Sequence, residues 1–102
     1  MQSFEGKLAV VTGGGSGIGR ELVMQLAAAG CSVATCDVRP GVAAETAAAA
    51  ASGAAGADGV DVTVTGHECD VADEASVARF AAEVAERHGR DDLHLLVNNA
   101  GI

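Results

Sequence analysis

Tyrosine and tryptophan are absent from the 102 residues and phenylalanine occurs only twice, so no reaction that needs a phenol can be carried by these residues. Basic residues are few: six Lys and Arg stand against fourteen Asp and Glu, for a formal net charge of -8. A nucleic acid or an anionic membrane surface would have to bind against that repulsion, and neither is expected as a partner. No run approaches the ~20 apolar residues of a membrane span, and the opening MQSFEGK lacks the charged-then-apolar pattern of a secretory signal. A cytoplasmic protein is expected. Cysteine is scarce and odd in number: Cys31, Cys36 and Cys69 show no paired spacing, as expected where thiols stay reduced. What the chain does have is 49% hydrophobic residues, enough at this length for one small globular domain.

The most informative stretch is Leu8 to Gly19, LAVVTGGGSGIG. A continuously apolar run ends in glycines and passes into an amphipathic segment, which reads as strand, turn, helix; such strands are buried on both faces of a parallel sheet. Glycines around the first helical turn leave backbone donors and the positive end of the helix dipole without steric cover, a setting that attracts phosphate. A Walker-type loop would end in Lys followed by Ser or Thr, but Arg20-Glu21 stands there, and G-x-G-x-x-G is not met in its usual register. The spacing present is Thr12-Gly13-x-x-x-Gly17-x-Gly19. Taken alone, a glycine-rich turn that binds nothing fits it as well.

The helix after the loop is expected to bury Ile18, Leu22, Leu26 and Ala29 and to close at Gly30. Ser32 to Val38 reads as a second strand, and Asp37 lies about 20 residues beyond the glycine loop, where a dinucleotide fold places an acid against the adenosine ribose. Val42 to Ala51 is alanine-rich and expected helical, with Ser52 to Gly59 a loose loop. Val60, Val62 and Val64 alternate with polar residues as a strand running on toward Val71. A further helix is expected from an N-cap at Asp73 to His88, with Val77, Phe80, Ala81, Val84 and His88 on one face, a Glu83-Arg87 pair, and Gly89 at its end. Leu93 to Val97 forms the last strand, His94 within it reads as a partly exposed strand residue, and Asn98-Asn99-Ala100-Gly101 follows. Cys36, Cys69 and His67 could be drawn together as metal ligands, although thiols packed as small apolar groups explain the cysteines equally.

Thr12-Gly13-x-x-x-Gly17-x-Gly19, the FEGK lead-in, Asp70-Val71 and NNAG together resemble the short-chain dehydrogenase/reductase family over the whole chain. The fold implied is α/β, the first half of a Rossmann-like doubly wound parallel sheet in strand order 3-2-1-4, with residues 1–102 as an NAD(P)-binding half-domain. The cofactor-binding residues implied are Gly13, Gly15, Ser16, Gly17, Ile18, Gly19, Asp37, Asp70, Val71, Asn98, Asn99, Ala100 and Gly101. A carboxylate at Asp37 would accept the ribose hydroxyls and repel a 2'-phosphate, which favours NAD over NADP. Ser16 agrees, since NADP-using relatives often have Arg or Lys there; Arg39 argues the other way.

In that family hydride transfer uses a Ser and a Tyr-x-x-x-Lys, all beyond NNAG. Here there is no Tyr, and the only Lys is Lys7. The chain is therefore expected to be the N-terminal, cofactor-binding part of an NAD(P)-dependent oxidoreductase acting on an alcohol or ketone, with no catalytic residue of its own. The full-length parent is expected to form a homo-oligomer. The alternative is a stand-alone nucleotide-binding or interaction module without redox activity.

Overall fold

The computed structural model describes residues 4–54, 62–90 and 92–99. Strands and helices alternate: β1 Leu8–Thr12, α1 Gly17–Ala28, β2 Ser32–Asp37, α2 Val42–Ala54, β3 Val64–Glu68, α3 Glu74–His88 and β4 Leu95–Asn98. The strands form one parallel sheet in the order β3-β2-β1-β4. This is the first half of a doubly wound sheet, in the order expected. Chain direction reverses across the sheet between β1 and β4, and the loops at the carboxyl ends of those strands define a crevice.

The period of two along β1 distributes the core. Ala9 and Val11 pack with Val23, Leu26 and Ala27 of α1 and Ala50 of α2, whereas Leu8 and Val10 pack with Phe80 and Val84 of α3. The apolar run of β1 is thus buried at all five positions because both faces are covered. Alanine in α2 permits close approach: Ala43, Ala47 and Ala50 are buried, and a Cβ at Gly66 of β3 would run into the Ala43 carbonyl. Helix and strand meet there backbone to backbone.

Helix ends follow glycine. Gly30, at φ 93, sends its N–H to the Ala27 carbonyl (3.0 Å) while Cys31 N–H reaches the Leu26 carbonyl (3.0 Å), the paired bonds of a Schellman motif. Gly89, at φ 65, ends α3 in the left-handed region. Asp73 holds the N-cap position of α3, but its carboxylate makes no capping bond. Ser76 serves that end of the helix instead, its Oγ accepting the Asp70 N–H at 2.9 Å.

Two helix faces differ from the pattern expected. In α1 the buried residues are Gly19, Val23, Leu26 and Ala27, and Ile18 is 79% exposed. Gly19 is pressed against the Gly13 carbonyl, which rotates the helix by about one position and turns Ile18 outward. In α3 the buried residues are Ser76, Phe80 and Val84, while Val77 is exposed. Val77 and Ala81 line an open apolar cavity of about 480 Å³ with Leu93 and Leu96. The third strand begins at Val64 and ends at Glu68, although Cys69 N–H still bonds the Asp37 carbonyl at 3.1 Å. Residues 55–61 of the expected loop and strand lie outside the described residues.

Polar side chains stitch sheet to helix in ways that periodicity does not reveal. Glu83 turns not to Arg87 but to His67, with Oε1 2.8 Å from Nδ1, and to Arg79 at 3.6 Å. His67 Nε2 meets Thr65 Oγ1 at 2.8 Å, and Thr65 Oγ1 meets His88 Nε2 at 2.8 Å, so a hydrogen-bonded row runs from Glu83 to His88. His94 precedes β4 rather than lying in it: its N–H donates to the Leu8 carbonyl (3.0 Å) and its Nδ1 accepts the Leu8 N–H (3.1 Å).

Burial first, then the charges of His67, Arg87 and Arg90, hold the His88 imidazole below its ordinary 6.5. The unfolded chain takes up this proton before the folded one does. Stability is then unaffected above about pH 6.5 and falls as pH drops below it toward the depressed folded value. Melting temperatures measured between about pH 7.5 and pH 5.5 are expected to decline, and His88→Gln to flatten the slope. Equal slopes in both proteins would contradict this assignment.

Candidate functional site

The carboxyl ends of all four strands and the loops after them enclose a groove of about 600 Å³. One wall is the glycine loop with Gly13, Ser16 and Ile18; the other is Asp70 and Val71, with Asp37 and Arg39 between them and Asn99 at the β4 end. Cys36 and Cys69 line its floor.

The loop owes its shape to hydrogen bonds that fasten it to the sheet. Gly14 N–H donates to the Cys36 carbonyl (3.0 Å), and Gly15 N–H donates to Asp37 Oδ2 (3.1 Å). Gly13 and Gly17 take φ of 68 and 59, a region that side chains rarely adopt. Gly19 sits where a Cβ would collide with the Gly13 carbonyl and the Asn99 side-chain amide. The hydroxyl of Ser16, the N-cap residue of α1, makes no capping bond, and no acidic residue occupies the first turn. The anion at the positive end of α1 thus comes from the end of β2, where Asp37 accepts the Gly15 N–H, and not from the helix itself.

Across the crevice, β1 and β4 are pinned at their tips. Thr12 Oγ1 lies 3.1 Å from Asn98 Oδ1 and accepts the Asn99 N–H at 3.0 Å. Asn99 Nδ2 donates to the Gly13 carbonyl at 3.2 Å, which joins the strand-four loop directly to the glycine loop. The two motifs singled out in the sequence are thus in contact.

Asp37 is buried to 6% exposure at the end of β2. Its carboxyl is held well below the carboxylate range, at about 2, first by the Arg39 guanidinium and further by the Arg39 and Gly15 N–H groups, against the opposing effect of burial. Asp70 closes a turn, its Oδ1 accepting the Ala72 N–H at 3.0 Å.

Of the residues the sequence singled out, Gly13, Ser16, Ile18, Asp37, Asp70, Val71 and Asn99 line the groove. Gly15 reaches it through its bond to Asp37, Asn98 supports it from Thr12, and Gly17 and Gly19 shape the loop and helix start. Ala100 and Gly101 lie outside the described residues. Sequence reasoning missed the positioning parts of Thr12, Thr35 and Ser76. Thr35 Oγ1 donates to the Val11 carbonyl at 2.7 Å beneath Gly14, where a Cβ would strike it. A hydroxyl inside an otherwise apolar strand was the available signal.

The idea of a metal at Cys36, Cys69 and His67 finds no geometric support. His67 uses both ring nitrogens on Thr65 and Glu83. Burial, and then the adjacent Cys69 thiol, pushes Cys36 up to about 12, which keeps it protonated. Among the described residues no three potential ligands converge. No helix among them is long and apolar enough to cross a membrane.

Comparison with known proteins agrees with this geometry. The chain is 42% identical over 99 residues to D-threitol dehydrogenase of Mycolicibacterium smegmatis, a match covering 97% of this chain and 35% of that protein. RhlG of Pseudomonas aeruginosa, solved as an NADP active-site complex, superposes with a TM-score of 0.80 at 31% identity, over 98% of this chain and 36% of that one. A short-chain dehydrogenase/reductase of Burkholderia phymatum in complex with NAD superposes with a TM-score of 0.75 at 36% identity, over 94% and 31%. The chain spans about a third of the length of most of these relatives. Its residues 7–102 match the short chain dehydrogenase family model, and on that match, over the fold and crevice described above, the chain belongs to the short-chain dehydrogenase/reductase family.

Proposed function

We propose that this chain is the NAD(P)-binding half-domain of an oxidoreductase that moves a hydride between a nicotinamide dinucleotide and an alcohol or ketone, with NAD preferred. The observation that carries the reading is the convergence of a helix start with no acid in its first turn, a buried acid and an asparagine-tipped strand on one groove. The residues fit the cofactor: the open space at Gly17 and the N-terminus of α1 suit the pyrophosphate, and Asp37 suits the adenosine ribose. Asp70, Val71, Ala100 and Gly101 would complete the adenosine side, and Asn98 and Asn99 would hold the strand tip beneath it.

When bound, the nicotinamide ring is the group that accepts or gives the hydride. The chain's own part is to fix the dinucleotide in place. With no tyrosine and with Lys7 ahead of β1, the serine and Tyr-x-x-x-Lys of the family belong to the two thirds of its relatives' length that this chain does not span. A reading frame continuing past Ile102 into those residues supports the oxidoreductase. A frame without them favours a nucleotide-binding module that does no redox chemistry.

Calorimetric titration with NAD, NADP and ATP tests the binding half of the proposal. One saturable site with NAD tightest is expected. Equal affinity for ATP and NAD, or no uptake of either dinucleotide at millimolar concentration, would contradict it.

A further inference from the structure

The row of side chains between β3 and α3 takes no part in the cofactor groove, and its hydrogens can be counted. Glu83 Oε1 lies 2.8 Å from His67 Nδ1, His67 Nε2 lies 2.8 Å from Thr65 Oγ1, and Thr65 Oγ1 lies 2.8 Å from His88 Nε2. Each contact needs one hydrogen between its two heavy atoms, and Thr65, which takes part in two of them, has only one to give. That shortage fixes the direction of the whole row.

Glu83 as a carboxylate, with Arg79 at 3.6 Å on its other oxygen, only accepts, so His67 must donate to it from Nδ1. With His67 neutral, its Nε2 is bare and takes the Thr65 hydroxyl proton. Thr65 then accepts in turn, and His88 donates as the Nε2–H tautomer. His88 Nδ1 has no hydrogen-bond partner among the described residues. A proton from hydronium or a buffer acid that binds there reverses the row: the Nε2 proton of His88 passes to Thr65 Oγ1, and the proton Thr65 held passes to His67 Nε2. Three bonds to hydrogen form and three break, counting the one in the acid that supplies the proton. His88 ends neutral as its other tautomer, and the charge rests on His67.

The surroundings favour that end of the row. Around His88 the charges are those of Arg87, Arg90 and His67, all positive, and burial opposes a further one. Facing His67 are Glu83 in direct contact and Arg79 and Arg87 on α3, Glu68 in β3, and the Cys36 and Cys69 thiols of the sheet. The α2 residues that meet the same cavity are uncharged. One imidazole therefore has an acid to pair with, and the other has none.

We propose that Thr65 makes one proton serve two imidazoles: a proton arriving at His88 comes to rest on His67 against Glu83, and the clasp between β3 and α3 passes as a unit from a neutral to an ion-paired state. The heavy atoms need not move. Only the hydroxyl and the two tautomers change.

Imidazole 15N NMR of the histidine-labelled chain, from about pH 7.5 to about pH 5.5, reads each ring nitrogen directly and tests this. At the upper end His67 is expected as Nδ1–H and His88 as Nε2–H. At the lower end His67 is expected to carry both protons while His88 has become neutral Nδ1–H. Thr65→Val is expected to abolish the reversal at His88, and Thr65→Ser, which keeps the hydroxyl, to retain it; thermal melts show whether each variant is folded. An imidazolium at His88 beside a neutral His67 overturns the proposal. So does a His88 tautomer that stays the same across the range in wild type, or one that reverses as fully in folded Thr65→Val. The wild-type spectra decide alone if Thr65→Val does not fold.

Discussion

Gly19→Ala is expected to weaken NAD binding by about a hundredfold. The added Cβ has nowhere to go. It would meet the Gly13 carbonyl, which is backbone, and the Asn99 amide that joins the strand-four loop to the glycine loop. A flexible side chain could swing aside at little cost, but the carbonyl can move only if the loop of Gly13–Ser16 moves with it. That loop is itself bonded to Cys36 and Asp37. Overpacking of this kind costs ~1–3 kcal/mol of stability in addition to the lost affinity. Calorimetry and a thermal melt on the same sample separate the two effects. A variant with wild-type affinity and melting temperature would show that the helix start does not approach the loop as described.

Asp37→Ala carries the second largest expectation. Hydrogen bonds to a charged group are worth ~1.5–3 kcal/mol each, so loss of the ribose acceptor is expected to weaken NAD by tenfold or more. NADP is expected to lose little, because Arg39 is then released from the carboxylate and a repelling charge is gone. The same substitution has a signature in acid. The carboxyl sits at about 2 against an ordinary 3.8, so folding favours its ionised form. That contribution is present above the unfolded value and is lost as pH falls from 3.8 toward 2. Acid unfolding curves of wild type and Asp37→Ala should therefore converge at the low end of that window. Curves that stay parallel through it would contradict the role given to Arg39 and Gly15 in holding the ionised acid.

The parts of this fold that were legible in sequence are those where a local rule and the tertiary structure agree. Leu8–Val11 is apolar at every position because helices cover both faces of β1, and Gly30 and Gly89 mark helix ends because left-handed backbone is needed there. The glycine loop and the asparagine tip were legible as motifs, and the structure joins them through Asn99 and Gly13. The misread elements share a cause in contacts from distant sequence. Spacing alone put Ile18 on the buried stripe, but a backbone approach between Gly19 and Gly13 decides how α1 is rotated. Asp73 does hold the N-cap position as its chemistry suggests, although the side-chain bond at that helix start is a local one, between Ser76 and Asp70. Glu83 and Arg87 are correctly spaced for a pair, but the acid turns to a buried imidazole on β3. Likewise Arg39 could be named from sequence as a residue able to reach a phosphate. That it fills the acceptor positions of Asp37 requires knowing where Gly15 and Ser16 lie.

The central claim is that the groove between the glycine loop and Asp70-Val71, with Asn99 at its β4 end, holds the adenosine and pyrophosphate of a nicotinamide dinucleotide. An amide NMR titration of the isotopically labelled protein with NAD tests it most directly. Saturable shifts are expected at Gly13 to Gly19, at Asp37 and Arg39, at Asp70 and Val71, and at Asn98 and Asn99, with Val77, Leu93 and Leu96 on the apolar cavity unmoved. Shifts confined to that cavity, or none at millimolar NAD in a folded sample, would contradict it.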